Sequence, residues 1–209
     1  MQRTTVATID GTSWPVAGWT DNSINGGTVS SDGSEITLSQ TSALNSSARF
    51  NSDVDYGPDV GFLGKFRDDA SGTDESYLGV GVRGYGGYQS QYGDKSHIFE
   101  GSPGASVARL VKQSNTLSNS WDGGCWTYFE EYSAPGHPFG PVATWVRYEM
   151  IGPVVRVRSW LDGNQEPATW DEEYVDPHIR DAGKVGVAFS HNTNVSPTST
   201  LILERLEVY

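Results

Sequence analysis

The sequence predicts an all-β fold in which two antiparallel sheets stack face to face. Gly (25 residues) and Pro (10 residues) are plentiful, and aromatic residues reach 11%, a composition suited to many short strands joined by tight turns. No window of about a dozen residues shows clean helical periodicity. Several segments instead alternate apolar and polar residues with a period of two, which is typical of strands that bury one face.

Eleven segments are strand-like, and clusters of Gly, Asn, Asp, Ser and Pro separate them. In three of them the alternation is clean: 60–67, 77–83 and 184–190 each place apolar residues on one face and a mixed set of residues on the other. The last segment extends to the final residue, so we expect the C-terminus to be held in a sheet. The predicted strands are 4–9, 35–38, 60–67, 77–83, 96–100, 107–112, 144–151, 154–161, 168–175, 184–190 and 200–209.

Residues 144–161 predict a hairpin whose register can be assigned pair by pair. Gly152-Pro153 suits a two-residue turn, which places Arg147 opposite Arg158 on the face away from the core. Two opposed guanidinium groups repel each other unless a negative group lies between them, and either Glu149 on the diagonal or a ligand could supply that charge. The face is therefore either a solvated ladder of ion pairs with stacked indoles or a carbohydrate-binding platform. The predicted ligand-binding residues are Arg83, Tyr85, Trp145, Arg147, Glu149, Arg156, Arg158 and Trp160.

A Gly/Pro/Asn-rich segment at about 114–143 carries many aromatic residues and predicts a long insertion loop within a single domain, 1–209. Loops of this length in a compact domain are usually functional or have structure of their own. The aromatic residues either pack on each other or form a contact surface with a partner. The predicted contact residues are Trp121, Trp126, Tyr128 and Tyr132.

Charge and cysteine content exclude several classes of partner. A net charge of −12 argues against nucleic acid and against an anionic membrane surface. Cys125 is the only cysteine, so no disulfide can form within the chain. We expect no membrane insertion and no signal peptide, because no apolar run reaches the necessary length. Such a protein is either cytoplasmic or made in the cytoplasm and released by lysis, as virion proteins are.

Four sequence motifs between residues 145 and 187 resemble a known family. They are Trp145-Val-Arg-Tyr-Glu-Met-Ile-Gly, Val155-Arg-Val-Arg-Ser-Trp-Leu-Asp-Gly, Glu166-Pro-Ala-Thr-Trp and Ala182-Gly-Lys-Val-Gly-Val. This pattern is similar to laminin-G/concanavalin-like jelly-roll domains, which occur in bacterial glycan-binding proteins and in minor tail proteins of actinobacteriophages. The resemblance implies a two-sheet antiparallel jelly-roll sandwich. It also implies a non-enzymatic virion protein that contacts host glycan or neighbouring tail subunits, as a monomer or a homo-oligomer.

The same resemblance indicates which residues an enzyme or a metal site of this fold would need. Laminarinase-type glucanases of this fold carry a Glu-x-Asp-x-x-Glu strand, which is absent here, so no catalytic residue is assigned. Two alternatives stay open. One is a polysaccharide hydrolase or lyase whose site consists of Arg83, Arg147, Glu149, Arg156 and Arg158 on one sheet face, and the other is a purely structural assembly protein. No cofactor is predicted apart from a structural calcium ion. Related glucanases hold that ion through an acid on the last strand, and Glu204 falls near this position, with further oxygens from Asp10 or Gly11.

Overall fold

The computed structural model describes residues 3–41, 46–68, 76–85, 95–101, 107–114, 127–133, 140–175, 182–191 and 199–209. These residues form strands and turns, with no helix among them. The strands are β1 (Ala7–Asp10), β2 (Trp19–Asp21), β3 (Thr28–Ser31), β4 (Ile36–Gln40), β5 (Ser47–Ser52), β6 (Val60–Asp68), β7 (Ser76–Tyr85), β8 (Lys95–Gly101), β9 (Val107–Ser114), β10 (Thr127–Ser133), β11 (Thr144–Ile151), β12 (Val154–Leu161), β13 (Glu172–Val175), β14 (Lys184–His191) and β15 (Ser199–Val208).

The strands pair into two antiparallel sheets, which confirms the predicted fold class. The first sheet has eight strands in the order β13-β12-β11-β6-β15-β4-β3, with β1 paired to β15 beside β4. The second sheet has seven strands in the order β10-β9-β8-β7-β14-β5-β2. Strands far apart in sequence lie side by side in both sheets, so the fold depends on long-range pairing. The final strand lies inside the first sheet, between β6 and β4.

The core lies between the two sheets and is built from the apolar face of each strand. On β7, Leu78, Val80 and Val82 are fully buried. Phe62 of β6 and Tyr148 of β11 stack with ring centroids 5.5 Å apart and an interplanar angle of 10°. Both side chains are 0% exposed, and burial of aromatic groups of this size dominates the stability of such a core.

Most predicted strands are confirmed to within two or three residues, but several predictions were wrong. Strands β2, β3 and β5 were missed, because they are short or rich in Ser, Thr and Asn and lack clear apolar alternation. The segment predicted as a strand at 168–175 becomes a strand only at Glu172. The predicted loop at 114–143 contains β10, which pairs with β9; its residues 115–126 and 134–139 lie outside the described residues.

A close backbone contact fixes the turn that leads into β3. Asn25 and Gly26 have positive φ angles of 50° and 82°, as a tight hairpin-type turn requires. At the next residue, a Cβ on Gly27 would lie 2.1 Å from the carbonyl oxygen of Ser47. Only glycine fits there, because the backbone of β5 occupies the space that any side chain would need.

Candidate functional site

The predicted β11–β12 hairpin register is confirmed at every pair. Ile151 pairs with Val154, Arg147 with Arg158, and Trp145 with Trp160. The core face of the hairpin is fully buried, whereas the outer face carries the indoles and most of the charged groups. We call the outward side of these two strands the hairpin face; it consists of Trp145, Arg147, Glu149, Arg156, Arg158 and Trp160.

The charge between the two opposed arginines comes from Glu166, so the expectation that Glu149 or a ligand supplies it was wrong. Arg147 Nε donates to Glu166 Oε1 at 2.6 Å and Arg147 Nη2 to Oε2 at 3.1 Å. Arg158 Nη2 contacts the same Oε1. Burial opposes ionisation, but the Arg147 hydrogen bonds and the two positive charges outweigh it and lower the pKa of Glu166. The carboxylate is therefore ionised and bridges both guanidinium groups.

The segment 162–171, which joins β12 to β13, lies across part of the hairpin face. The Trp170 ring lies against both Arg156 and Arg158, with guanidinium carbons 4.4 and 4.3 Å from the ring centroid. Arg158 Nη1 donates to the carbonyl oxygen of Pro167 at 2.8 Å. At the end of the segment, the Asp171 side chain accepts from the backbone N–H of Ser159 at 2.7 Å. Residues 162–171 thus act as a cover that the hairpin holds by cation–π contacts and hydrogen bonds.

Glu149 belongs to a second charged group on this face. Its Oε2 accepts from Arg156 at 2.7 and 3.0 Å, and its Oε1 lies 3.3 Å from the Tyr209 hydroxyl. Arg147 Nη1 donates to that hydroxyl at 3.1 Å. Burial raises the pKa of Tyr209 above its ordinary value despite the nearby Arg147 charge, so the hydroxyl stays protonated and can donate to Glu149.

At the end of the hairpin, neighbouring side chains lie against both faces of the Trp145 indole. The rings of Trp145 and Trp160 stack with centroids 6.2 Å apart and an interplanar angle of 12°. Lys65 Nζ lies 5.6 Å from the centroid of Trp145, and Trp145 Nε1 donates to Asp162 at 2.8 Å. Trp160 is only 7% exposed. A sugar ring could not stack on either face of Trp145 without displacing Trp160 or Lys65.

Through these contacts, the charged side chains of the hairpin face are all paired with other groups of the protein. Each of its four charged side chains has an oppositely charged protein partner within 4 Å. Groups already paired in this way must lose those bonds before they bind a ligand, which costs free energy. The geometry therefore favours the interpretation of ion pairs with stacked indoles over an open platform. Sequence reasoning missed Glu166, Trp170 and Tyr209 as members of this network, although Glu166 and Trp170 stand in a motif quoted above.

The other predicted contact residues lie elsewhere. Arg83 and Tyr85 belong to β7 of the second sheet, so the expectation that Arg83 shares a sheet face with the hairpin residues was wrong. Tyr128 and Tyr132 belong to β10 in the same sheet. Trp121 and Trp126 lie outside the described residues.

The outer face of the second sheet has a different character at β14 and β7. Val187 and Phe189 point into the core, so Gly186 and Ala188 lie on the outer side of β14. Gly186 pairs with Gly81, and Ala188 pairs with Gly79. Gly81, Gly186 and Ala188 are buried although they face away from the core, and Ala188 is 0% exposed, so other groups of the protein lie against this outer side and a bound ring would have to displace them. We call these four small residues the recessed floor.

Polar side chains border the recessed floor on β5. Asn51 pairs with Gly186, and Arg49 pairs with Ala188; both side chains are partly exposed. Arg49 Nε contacts the carbonyl oxygen of Asn22, and Asn51 Oδ1 contacts Asn22 Nδ2. The fold thus places amide and guanidinium groups, both suited to hydrogen bonding with hydroxyls or anions, beside a stretch of small residues.

The predicted calcium ligands already bind protein donors. Glu204 forms ion pairs with Lys65 Nζ at 2.8 Å and with Arg67 Nε at 3.3 Å. Asp10 Oδ1 accepts from the Thr12 hydroxyl at 2.7 Å and from two backbone N–H groups at 3.0 Å. A calcium ligand beside two cations would be electrostatically unfavourable, so the geometry does not support Glu204 in that role. In the described parts of the chain, no group of three or more His, Cys, Asp or Glu side chains is placed to hold a metal.

Comparisons with known proteins identify the class of fold. No protein-family model and no curated protein sequence matches the chain. Solved structures do match. The calcium- and Man3GlcNAc-bound VIP36 exoplasmic/lumenal domain has 10% identity and a TM-score of 0.64, and covers 97% of this chain and 87% of its own.

Two bacterial structures give similar agreement. The carbohydrate-binding module CBM66 from Bacillus subtilis has 12% identity, a TM-score of 0.58 and coverage of 90% of this chain and 92% of its own. A Bacteroides ovatus GH16 protein of a mixed-linkage glucan locus, in complex with a G4G4G3G product, has 7% identity, a TM-score of 0.67 and coverage of 98% and 100%. The fold is therefore the lectin- and concanavalin-like jelly-roll sandwich. Within the described residues there is also no helix with the length and apolar character needed to cross a membrane.

Proposed function

We propose that this chain is a non-catalytic carbohydrate-binding domain whose ligand lies on the outer face of the second sheet. The observation that carries the proposal is the recessed floor formed by Gly79, Gly81, Gly186 and Ala188. Glycine in the interior of a strand weakens the sheet, and it often marks a place where a ligand or another backbone approaches closely. Three glycines at adjacent positions of two central strands indicate such an approach.

The surroundings of the floor suit a saccharide. A sugar ring needs a flat surface for its C–H groups and polar side chains for its hydroxyls, and binding sites usually combine a concave surface with a few polar groups. Arg49 and Asn51 supply polar groups along β5. Arg83 and Tyr85, on β7 next to β14, are the sequence-predicted ligand residues that belong to this sheet. The lectin-like and carbohydrate-binding neighbours support the same proposal.

Hydrolysis at the hairpin face is the less favoured alternative. A glycosidase needs two carboxyl groups, one of them a general acid with a raised pKa. Glu149 and Glu166 are each bound by arginine. The pKa of Glu166 is lowered, which is the opposite of what a general acid requires. The GH16 neighbour keeps the alternative worth testing by release of reducing ends from cell-wall polymers.

The test of glycan binding combines a ligand screen with matched variants. Pull-down with bacterial cell walls and a polysaccharide panel identifies a ligand, and calorimetric titration measures its affinity. We expect Asn51→Ala and Arg49→Ala each to weaken binding about tenfold, since each removes a polar contact of the kind that contributes about 1 kcal/mol or more. Trp145→Ala on the hairpin face is the control and should leave affinity unchanged. Loss of binding in Trp145→Ala alone would move the site to the hairpin face, and absence of any binding glycan would refute the proposal.

We also propose that the domain acts in a virion, as part of a phage minor tail or receptor-binding protein released by host lysis. The support is the resemblance of residues 145–187 to domains of actinobacteriophage minor tail proteins. Its glycan would then belong to the host surface, and other tail subunits would be its protein partners. Mass spectrometry of purified particles tests this, and light scattering gives the oligomeric state. A purely structural role would be favoured by presence in particles without any glycan affinity.

A further inference from the structure

One side chain, that of Arg158, makes most of the contacts that hold the middle of the cover, residues 163–170. Its Nη2 contacts the Glu166 carboxylate, and its Nη1 donates to the carbonyl oxygen of Pro167 at 2.8 Å. Its guanidinium carbon also lies 4.3 Å from the centroid of the Trp170 ring. An ion pair, a hydrogen bond and a cation–π contact therefore converge on a single group.

The remaining contacts between these eight residues and the hairpin also use arginine, apart from one backbone turn bond at the start of the segment. Arg147 binds Glu166, and Arg156 lies against Trp170. The structure describes all eight residues, and none of them is buried, so hydrophobic burial contributes little to holding them. Ordering eight residues costs conformational entropy, which these partly exposed arginine contacts must offset.

Backbone hydrogen bonds fix both ends of the cover. The N–H of Asp162 donates to the carbonyl oxygen of Ala143 at 2.8 Å, and that of Asp171 donates to the carbonyl oxygen of Val157 at 2.9 Å. Directly after Asp162, Gly163 has a φ of 87° and open space where a Cβ would lie, so the backbone can change direction there. The middle of the cover can therefore swing away from the hairpin between two fixed points.

We infer that residues 163–170 open as one unit, while both sheets stay folded, when Glu166 loses its charge. Glu166 is the only titratable residue among the eight, and its protonation removes the ion pairs with Arg147 and Arg158 together. Because the pKa of Glu166 is lowered in the folded protein, the closed form is held above the ordinary pKa of a glutamate and is lost as the pH falls through the folded-state pKa. The charged and titratable side chains around the cover are Arg147, Glu149, Arg156, Arg158, Glu173 and Tyr209.

Opening also satisfies a donor that the closed form leaves without a partner. Arg158 Nε is buried, and no acceptor lies within hydrogen-bond distance of it in the part of the chain that the structure describes. A buried donor without an acceptor costs free energy. Water would reach this N–H once the cover lifts, so the open form regains at Arg158 part of what it loses at Glu166.

Hydrogen exchange measured by NMR tests this inference. The Nε–H of Arg158 is the probe of the cover, and the backbone N–H of Tyr148, on a strand paired on both sides, is the probe of the sheets. We expect the Arg158 proton to exchange faster than global unfolding allows and with little dependence on urea, because opening the cover uncovers little surface, whereas exchange at Tyr148 should rise steeply with urea. Glu166→Gln should speed exchange at Arg158 about tenfold or more. Glu207→Gln, which removes a carboxylate bound by an arginine elsewhere on the first sheet, is the matched control and should not change it.

A pH titration of the wild type decides the matter even if Glu166→Gln does not fold. The Trp170 ring should shift the NMR signals of the Arg158 side-chain protons, and this shift should disappear in acid before the signals of the Tyr148 ring in the core change. Trp170→Leu, which lacks the ring, gives the reference for the unshifted signals. A shift that lasts until the whole domain unfolds, or exchange at Arg158 with the same rate and urea dependence as at Tyr148, would overturn the inference.

Discussion

Substituting Glu166 by Gln is the sharpest test of the ion pairs on the hairpin face. The change keeps the side-chain volume and removes the charge that Arg147 and Arg158 share. A hydrogen bond to a charged group contributes about 1.5–3 kcal/mol, and two arginines are affected. The side chain of Glu166 is 31% exposed and those of the arginines 21% and 16%, so water screens part of this energy. We therefore expect a loss of about 2 kcal/mol in the free energy of unfolding.

Urea denaturation, monitored by tryptophan fluorescence, measures this loss as a lower midpoint at constant slope. For a domain of this size, about 2 kcal/mol corresponds to a decrease of about 4–8 °C in Tm. Glu207→Gln, whose partner Arg205 is 49% exposed, is the control and should cost less than about 0.5 kcal/mol. In an Arg158→Gln background the effect of Glu166→Gln should shrink, as a double-mutant cycle reports. A loss no larger than that of the control would refute the bridging role of Glu166.

Three further predictions concern the titration of Glu166, the turn before β3 and the packing of the core. Because the pKa of Glu166 is lowered in the folded protein, its contribution to stability is present above the ordinary pKa of a glutamate and is lost as the pH falls through the folded-state pKa. The wild type should therefore lose its stability advantage over Glu166→Gln in acid. A constant difference in the free energy of unfolding down to about pH 2 would contradict this. Gly27→Ala should destabilise the domain by about 2 kcal/mol or more, because its Cβ would lie 2.1 Å from the Ser47 carbonyl oxygen; Gly57→Ala, where nothing lies within 4 Å, should be near neutral in the same denaturation assay. Phe62→Ala should cost about 3–5 kcal/mol through the cavity left beside Tyr148, and calorimetry that finds less than about 1 kcal/mol would mean that the core is not packed as described.

The hairpin could be predicted from sequence because its turn and its apolar alternation lie in one continuous segment. Gly152-Pro153 sets the turn, and the alternation on both sides sets which residues face the core. Strand β5 gave a weaker signal, since Ala48 and Phe50 are its only apolar residues and the other four are polar or charged.

The partners of the hairpin arginines could not be predicted because they depend on how a connection folds back. Glu166 and Trp170 reach the face only because residues 162–171 leave the sheet after β12. The sequence pattern instead predicted a strand that begins at residue 168, within that segment. Likewise, the pairing of β14 with both β7 and β5, which assembles the recessed floor, joins residues more than 100 positions apart in the chain.

Mapping the bound ligand by NMR is the most direct measurement of where this domain meets a saccharide. At 22.7 kDa the backbone amide spectrum is accessible, and titration with the tightest polysaccharide fragment reports which amides change. Carbohydrate binding at the second sheet requires the largest shifts at Asn51, Gly81, Gly186 and Ala188. Shifts confined to β11 and β12, or none at a saturating concentration of every fragment, would contradict it.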